Sequence, residues 1–511
     1  MKIAATKIAD LWRRLCKSRL GNVTIIFAFA MPVILIAAGG AIDYAQALTV
    51  RGQLRDATDA AAVGCIATNS AAYNYASTTT QNGSIALGVT AATNMFNANM
   101  AHMQNQGTYT NLAVTPVVTK NNQYLTATIT ATENYKTFLL SYIGINTIPL
   151  TATSSAANAT PGYMDFYLLL DVSGSMGLPS TDSEQTRLAA VNPDDKSQYP
   201  LGCTLACHFD PITTTTTTTK NGKTTTTSTT SYTWGYALSR NGGNLACAQG
   251  TQTTGCPTPV SNCPTAGTSA CIQLRLDAVG YAVNQLLSTA NSTATLPNQY
   301  RVGLYPFIRY MDPNYAPLTS SLTGSSTTAG TINYAAANLA NELDTGTNAT
   351  LGAGGTHFEN ALPAVSGVIP ALSGGYTGAV GTGASATNTL PWVFFVTDGS
   401  QDSQYYTSST NSWAGSNHAT YLSPASLCTN IKNRGIRIAV LYIPYQPIQN
   451  PNPSFAGDED DYANNNIPNI PAPLQACASP GFYFTANSPT DIAAALQTMF
   501  KQAITSDRLT L

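Results

Sequence analysis

The chain is predicted to be an α/β protein with a doubly wound, mostly parallel sheet. That domain carries a long insertion and follows an N-terminal transmembrane helix and a small helix-plus-sheet module. Three observations predict this. Phe166–Leu170 (FYLLL), Val302–Ile308, Trp392–Val396 and Ile436–Ile443 are near-continuous apolar runs, the signature of strands buried on both faces. Helical stretches over roughly 272–290, 357–370, 421–434 and 489–504 alternate with them, which favours parallel strands joined by helical crossovers. Ahead of them lies one uncharged segment, residues 20–42.

Within that segment, Val23–Ile42 reads VTIIFAFAMPVILIAAGGAI. Twenty helical residues rise about 30 Å, the thickness of a bilayer core. Pro32 is tolerable there because neighbouring groups re-satisfy the freed carbonyl. Lys2, Lys7, Arg13, Arg14, Lys17 and Arg19 precede the run against a single Asp10, so the positive-inside rule leaves residues 1–20 in the cytoplasm. The anchor is assigned to 21–43, and everything past Asp43 is expected outside, in the periplasm or at the cell surface. A cleaved signal peptide is the alternative, but the run exceeds a signal core of about 7–15 residues and no A-x-A site ends it. Pilin-type processing near Gly21 is rejected, since Thr24, Ile25 and Ile26 stand where a glutamate is wanted.

Residues 44–158 form the extracytoplasmic module. Ala47, Val50, Leu54, Ala57 and Ala61 recur every three or four residues, one stripe of a helix continuing from the anchor. It packs either on a partner helix or on the module itself. A polar gap over about 67–84 precedes a second stripe, Ile85, Val89, Ala92, Phe96 and Met100. Leu125, Ala127, Ile129 and Ala131 then alternate with threonines as in a half-buried strand, with Asn121-Asn122 as the preceding turn and Ile148–Thr153 as a further strand.

Composition narrows the function. Of 511 residues only 9% are charged and the formal net charge is -2, so no basic field exists to drive nucleic-acid binding. Of ten cysteines, Cys203, Cys207, Cys247, Cys256, Cys263 and Cys271 crowd one stretch, and an oxidising compartment is the simple reading. Those six can pair among themselves in 15 ways. Cys428 and Cys477 are expected to pair within the α/β domain, and Cys65 is left over, buried and free or linking two chains. Zinc at Cys203-x₃-Cys207-His208 is the weaker reading. Residues 177–270, which hold the Thr-rich runs 213–219 and 224–227, read as an insertion whose Thr tract is a mobile, exposed loop.

Three separated pieces carry chemistry. Asp171-Val-Ser173-Gly-Ser175 follows the first buried strand, Gly354-Gly-Thr356 opens a helix, and Thr397-Asp398-Gly399 ends the strand WVFFV. Loops at the carboxyl ends of central strands meet in one crevice of a doubly wound sheet. Two carboxylates and three hydroxyls form an all-oxygen set suited to a hard cation: Mg²⁺ first, Mn²⁺ or Ca²⁺ next. With few charged ligands the cation keeps attraction for a carboxylate supplied by a protein partner. No nucleophile–base pair supports an enzyme: Ser173 occupies the place of the second acid of an aspartyl-nucleophile phosphatase, and Ser175 lacks the glycine of a hydrolase elbow. His357 reads as a satisfied first-turn residue and Asp458-Glu459-Asp460-Asp461 as a solvated surface turn.

DVSGSM, GGT and VTDG resemble the metal-ion-dependent adhesion site of von Willebrand factor A domains, over about residues 162–505 of a domain bounded at 159–508. The resemblance implies that Asp171, Ser173, Ser175, Thr356 and Asp398 are the metal-coordinating positions, the serines directly and the aspartates often through water. The long insertion after the first motif departs from the family and is placed to cap the site. The segment from Arg19 to Val63, with its Asp59-Ala60-Ala61-Ala62 run, is similar to the N-terminal region of TadG-like proteins of the Flp (tight adherence) pilus system, which extends here to about residue 66. That resemblance implies a role in pilus assembly or adhesion from the inner membrane, with other pilus-assembly or envelope proteins as partners. The alternative is a structural pseudopilin-like subunit whose A domain mediates assembly without a metal; a hydrolase stands behind both.

Overall fold

The computed structural model describes residues 20–104, 109–191, 212–231, 263–268, 271–344, 350–352, 354–407, 412–415, 418–445, 447 and 459–506. The chain divides into two compact units, Met1–Thr160 and Pro161–Leu511.

The first unit is built on one long helix, α1 (Leu20–Cys65), with Pro32 inside it. Its first half is long and apolar enough to cross a membrane. There Phe29, Val33 and Ile34 are 77%, 66% and 62% exposed, so no other described residue of the unit covers this surface. From Asp43 onward the helix changes character. Ala47, Val50, Leu54, Ala57 and Ala61 are buried in a common core with Phe96, Leu125, Ile129 and Leu150. The stripe therefore packs on its own module, which decides between the two expected partners. Two further helices, α2 (Ala71–Thr78) and α3 (Ala86–Gln104), join a four-stranded sheet of β1 (Gly83–Ser84), β2 (Tyr109–Asn121), β3 (Tyr124–Lys136) and β4 (Thr147–Ala159), in that order. Helix α2 falls in the stretch read as a polar gap; the Ser70 hydroxyl accepts the Tyr73 amide and caps it. Asn122 takes a left-handed φ of 55° in the β2–β3 turn, as expected of an Asn-Asn corner.

The second unit holds the doubly wound sheet. It contains β5 (Met164–Asp171), β8 (Tyr300–Phe307), β9 (Ala316–Thr319), β10 (Leu390–Thr397), β13 (Arg437–Tyr442) and β14 (Tyr483–Thr485), ordered β14-β13-β10-β5-β8-β9. Every neighbouring pair is parallel except β8–β9. Counted along the chain this is the 3-2-1-4-5-6 order of doubly wound folds, reversing between β5 and β10. The antiparallel edge strand β9 was not foreseen; its four residues are too few to show a period. Among its described residues the unit also holds helices α4 (Asp182–Val191), α5 (Arg275–Thr293), α6 (Ile332–Ala337), α7 (Phe358–Val368), α8 (Ser426–Asn433), α9 (Glu459–Asn466), α10 (Pro471–Cys477) and α11 (Pro489–Ser506). Alternate residues of β5 feed two cores: Phe166, Leu168 and Leu170 with α5 and α11, and Tyr167 and Leu169 with α7 and α8. This explains the unbroken apolar run, since both faces of the strand need burial.

Within the insertion, the Thr-rich runs form an antiparallel hairpin, β6 (Ile212–Lys220) and β7 (Lys223–Ser231), rather than a loop. Asn221 and Gly222 sit at φ 52° and 74°, the two left-handed corners of a two-residue hairpin turn. β-branched threonine fits extended backbone without needing a core. A small two-stranded ribbon, β11 (Tyr405–Thr407) with β12 (Ser412–Ala414), lies elsewhere in the unit. Cys263–Cys271 and Cys428–Cys477 are disulfides, and Cys65 is a buried free thiol. Cys16, Cys203, Cys207, His208, Cys247 and Cys256 lie outside the described residues. The acidic run does not form the expected turn: α9 begins within it, at Glu459.

Candidate functional site

Asp171 is the last residue of β5, and Asp398 directly follows β10, the neighbouring strand across the point where the order reverses. Both aspartates are fully buried. The Asp171 carboxylate is held on two sides: the Ser173 amide donates to Oδ1 at 3.0 Å and the Thr397 hydroxyl to Oδ2 at 2.6 Å. The Ser173 and Ser175 hydroxyls are 3.2 Å apart, and the Ser175 hydroxyl lies against the Asp398 carboxylate. Asp398 accepts the Ser400 amide at Oδ1, 3.4 Å away. Its Oδ2 is buried and has no hydrogen-bond partner among the described residues. Four of the five expected ligands thus meet at one point.

Thr356 is placed by its backbone. Its amide donates to the Asp402 carbonyl at 2.7 Å and its carbonyl accepts the Asp402 amide at 3.0 Å, fastening the Gly354-Gly-Thr356 turn to the loop after β10. On its other side the Gly354 amide donates to Asp344 Oδ2 at 2.8 Å, while the Asp344 amide donates to the Val172 carbonyl at 2.9 Å. Asp344 therefore joins the second and first motifs. Sequence reasoning missed it because no motif surrounds it. Gly355 has φ +76°, and a Cβ there would lie 2.2 Å from the Gln404 carbonyl oxygen, so the turn demands glycine.

His357 is satisfied as expected: Nδ1 pairs with Glu359 Oε1 at 2.7 Å and Nε2 with the Gln404 carbonyl at 3.0 Å. Arg275, 6% exposed, is the unexpected charge. Its field reaches Asp398, and its Nη1 has no hydrogen-bond partner among the described residues.

Burial pushes the Asp171 carboxyl well above the usual carboxylate range, and the Asp398 charge adds to this. Burial also raises Asp398, against the opposing pull of Ser175 and Arg275. Two acids brought together in a dry crevice, one with an orphaned oxygen, fit a small hard cation, which would relieve both the repulsion and the desolvation. Among the described residues no three His, Cys, Asp or Glu side chains gather to hold a metal. The set here is two carboxylates with hydroxyls, hard oxygen donors that would suit Mg²⁺ better than zinc.

Residues 21–64 match the family model described as Tad, putative Flp pilus-assembly TadE/G-like. The chain carries a TadE/G-like N-terminal segment. This segment coincides with helix α1, including both the apolar half and the buried alanine stripe. No curated protein matches the chain. Among solved structures, the chain is similar to the PilB minor pilin from Streptococcus sanguinis, at 10% identity and a TM-score of 0.30, covering 77% of this chain and 79% of that one. It is similar to the vWF domain of the type V pili tip protein Mfa5 from Porphyromonas gingivalis, at 10% identity and a TM-score of 0.30, covering 68% and 97%. A von Willebrand factor type A protein from Catenulispora acidiphila matches at 12% identity and a TM-score of 0.27, covering 78% and 50%. At these scores the likenesses carry neither fold nor site, which rest on the strand order and hydrogen bonds given above.

Proposed function

We propose that this chain is a single-pass protein of the inner (cytoplasmic) membrane whose second unit, outside the cytoplasm, captures a protein partner of the pilus or envelope through a divalent cation. Mg²⁺ is the expected ion, with Mn²⁺ or Ca²⁺ as alternatives. The observation that carries the reading is the orphaned, buried Oδ2 of Asp398 beside Asp171, Ser173 and Ser175. Asp171, Ser173, Ser175, Thr356 and Asp398 would hold the ion, and Thr397 and Asp344 would position them. When bound, the cation supplies a positive centre for a partner's carboxylate. Arg275 offsets part of the Asp398 charge, which leaves the bound ion more attractive to an incoming acid. The function is binding, with no catalytic step.

The TadE/G-like segment supports a place in pilus assembly or surface attachment. Cells carrying Asp171→Ala in place of the native residue test this. The proposed role requires loss of partner cross-linking, and of pili or attachment, with the protein still present in the membrane. Normal pili and normal cross-linking in the presence of a chelator would reject it. The pseudopilin-like alternative gains nothing from the stripe Ala47–Ala61, because its residues are already buried in the first unit.

A further inference from the structure

The connection between β3 and β4 presents an apolar surface that the metal-dependent function does not use. Residues 137–148 read TFLLSYIGINTI and contain no charged side chain. Phe138 and Tyr142 are 71% and 81% exposed, and Ile143 and Ile145 are 46% and 47% exposed. Isolated apolar residues on a surface are ordinary, but two aromatics and two isoleucines on one short loop are a patch.

Its position says what covers it. Asp43, which ends the uncharged run of α1, is fully buried under this loop. Its Oδ1 accepts the Phe138 amide at 3.0 Å, and its Oδ2 accepts the Leu139 and Leu140 amides at 2.8 and 2.7 Å. One turn earlier the helix has two glycines. A Cβ on Gly39 would stand 2.8 Å from Leu139 Cβ, and one on Gly40 would stand 3.3 Å from Leu140 Cδ2. The loop is thus clamped against the last turn of the apolar run. Ile42 and Tyr44, at the same level of the helix, are 51% and 59% exposed.

We propose that the loop 138–145 is a membrane-interface foot, with Phe138, Tyr142, Ile143 and Ile145 seated at the headgroup–acyl boundary of the leaflet nearer the first unit, and with Asp43 as the latch that sets its height. Aromatic side chains with one polar tip favour that boundary. The contact residues Gly39 and Gly40 belong to the span itself, about 4.5 and about 3 Å below Ile42 by helical rise, so the loop meets the bilayer wherever the helix leaves it. A lipid surface fits this continuity, whereas a protein partner would need to displace lipid from the same place. The proposal rests on α1 crossing the membrane.

The test uses the full chain reconstituted alone in phosphatidylethanolamine–phosphatidylglycerol vesicles, with lipids brominated near the headgroup end of the acyl chain. Single substitutions Tyr142→Trp, Phe29→Trp and Val117→Trp report the loop, the span and an exposed strand, each read as emission lost beyond that of the parent chain. Quenching of Tyr142→Trp and Phe29→Trp, but not of Val117→Trp, is the expected result, unchanged when vesicles are diluted to about one chain each. Adding Asp43→Ala should reduce quenching at 142 and spare 29. Quenching at 29 without quenching at 142 overturns the foot and leaves the span intact. Absence of quenching at 29 overturns the span, and the foot with it. Quenching at 142 that is absent at high protein density and appears only on dilution to about one chain per vesicle assigns the patch to a second copy of the chain and rejects lipid as its cover. The three tryptophan reporters in the otherwise native chain stand even where Asp43→Ala fails to fold.

Discussion

The Thr397 hydroxyl donates to Asp171 Oδ2 at 2.6 Å and accepts the Gly399 amide at 2.9 Å. One side chain thus fixes the first acidic residue of the site and the turn that carries the second. Thr397→Val keeps the shape of the strand but leaves a buried carboxylate oxygen without its donor, at a cost of about 1–3 kcal/mol. The expected result is a lower melting temperature of the second unit together with weaker cation binding. Thermal unfolding with and without Mg²⁺ checks both; an unchanged cation response would remove Thr397 from the site.

The Cys428–Cys477 bridge joins α8 to α10 across 49 residues of sequence. Replacing both cysteines by serine is expected to destabilise the second unit by about 2–4 kcal/mol, through the loop entropy restored to its unfolded state. Denaturant titration of the full chain under non-reducing conditions measures this. A loss no larger than that of a surface serine substitution would show that the bridge does not stabilise the unit.

Glu133 lies in the core of the first unit, 2% exposed, and neither carboxylate oxygen has a hydrogen-bond partner among the described residues. Burial raises its pKa from 4.5 to about 7. A carboxyl raised by folding stabilises the unit while protonated. That contribution is whole below about pH 4.5 and is lost as the pH rises to about 7, on the order of 3 kcal/mol in all. Hydrogen exchange at the β3 and β4 amides should therefore quicken between these pH values relative to Glu133→Gln, after correction for intrinsic exchange. Parallel profiles for parent and variant would contradict the assignment.

The strands of the doubly wound sheet were legible because each is buried on both faces, and a run such as FYLLL or WVFFV leaves little else to become. The three site motifs were legible because each follows a strand or opens a helix. What stayed hidden has physical causes. Asp344 reaches the site through its amide and carboxylate without any motif around it. Arg275 opens a helix and becomes relevant only through the approach of distant Asp398. The polarity of the Thr tract points to a loop, whereas its β-branching and its Asn221-Gly222 corner mark a hairpin. The stripe on α1 revealed a buried face but not its partner, because alanines pack equally well within a chain or between chains.

Calorimetric titration of the full chain in detergent with Mg²⁺, Mn²⁺ and Ca²⁺ tests the central claim most directly. The native protein is expected to bind one divalent ion, and Asp171→Ala and Asp398→Ala are each expected to abolish the heat while leaving the Cys428–Cys477 bridge oxidised. Equal binding by native and substituted proteins, or no binding by the native chain, would contradict a cation held between Asp171 and Asp398.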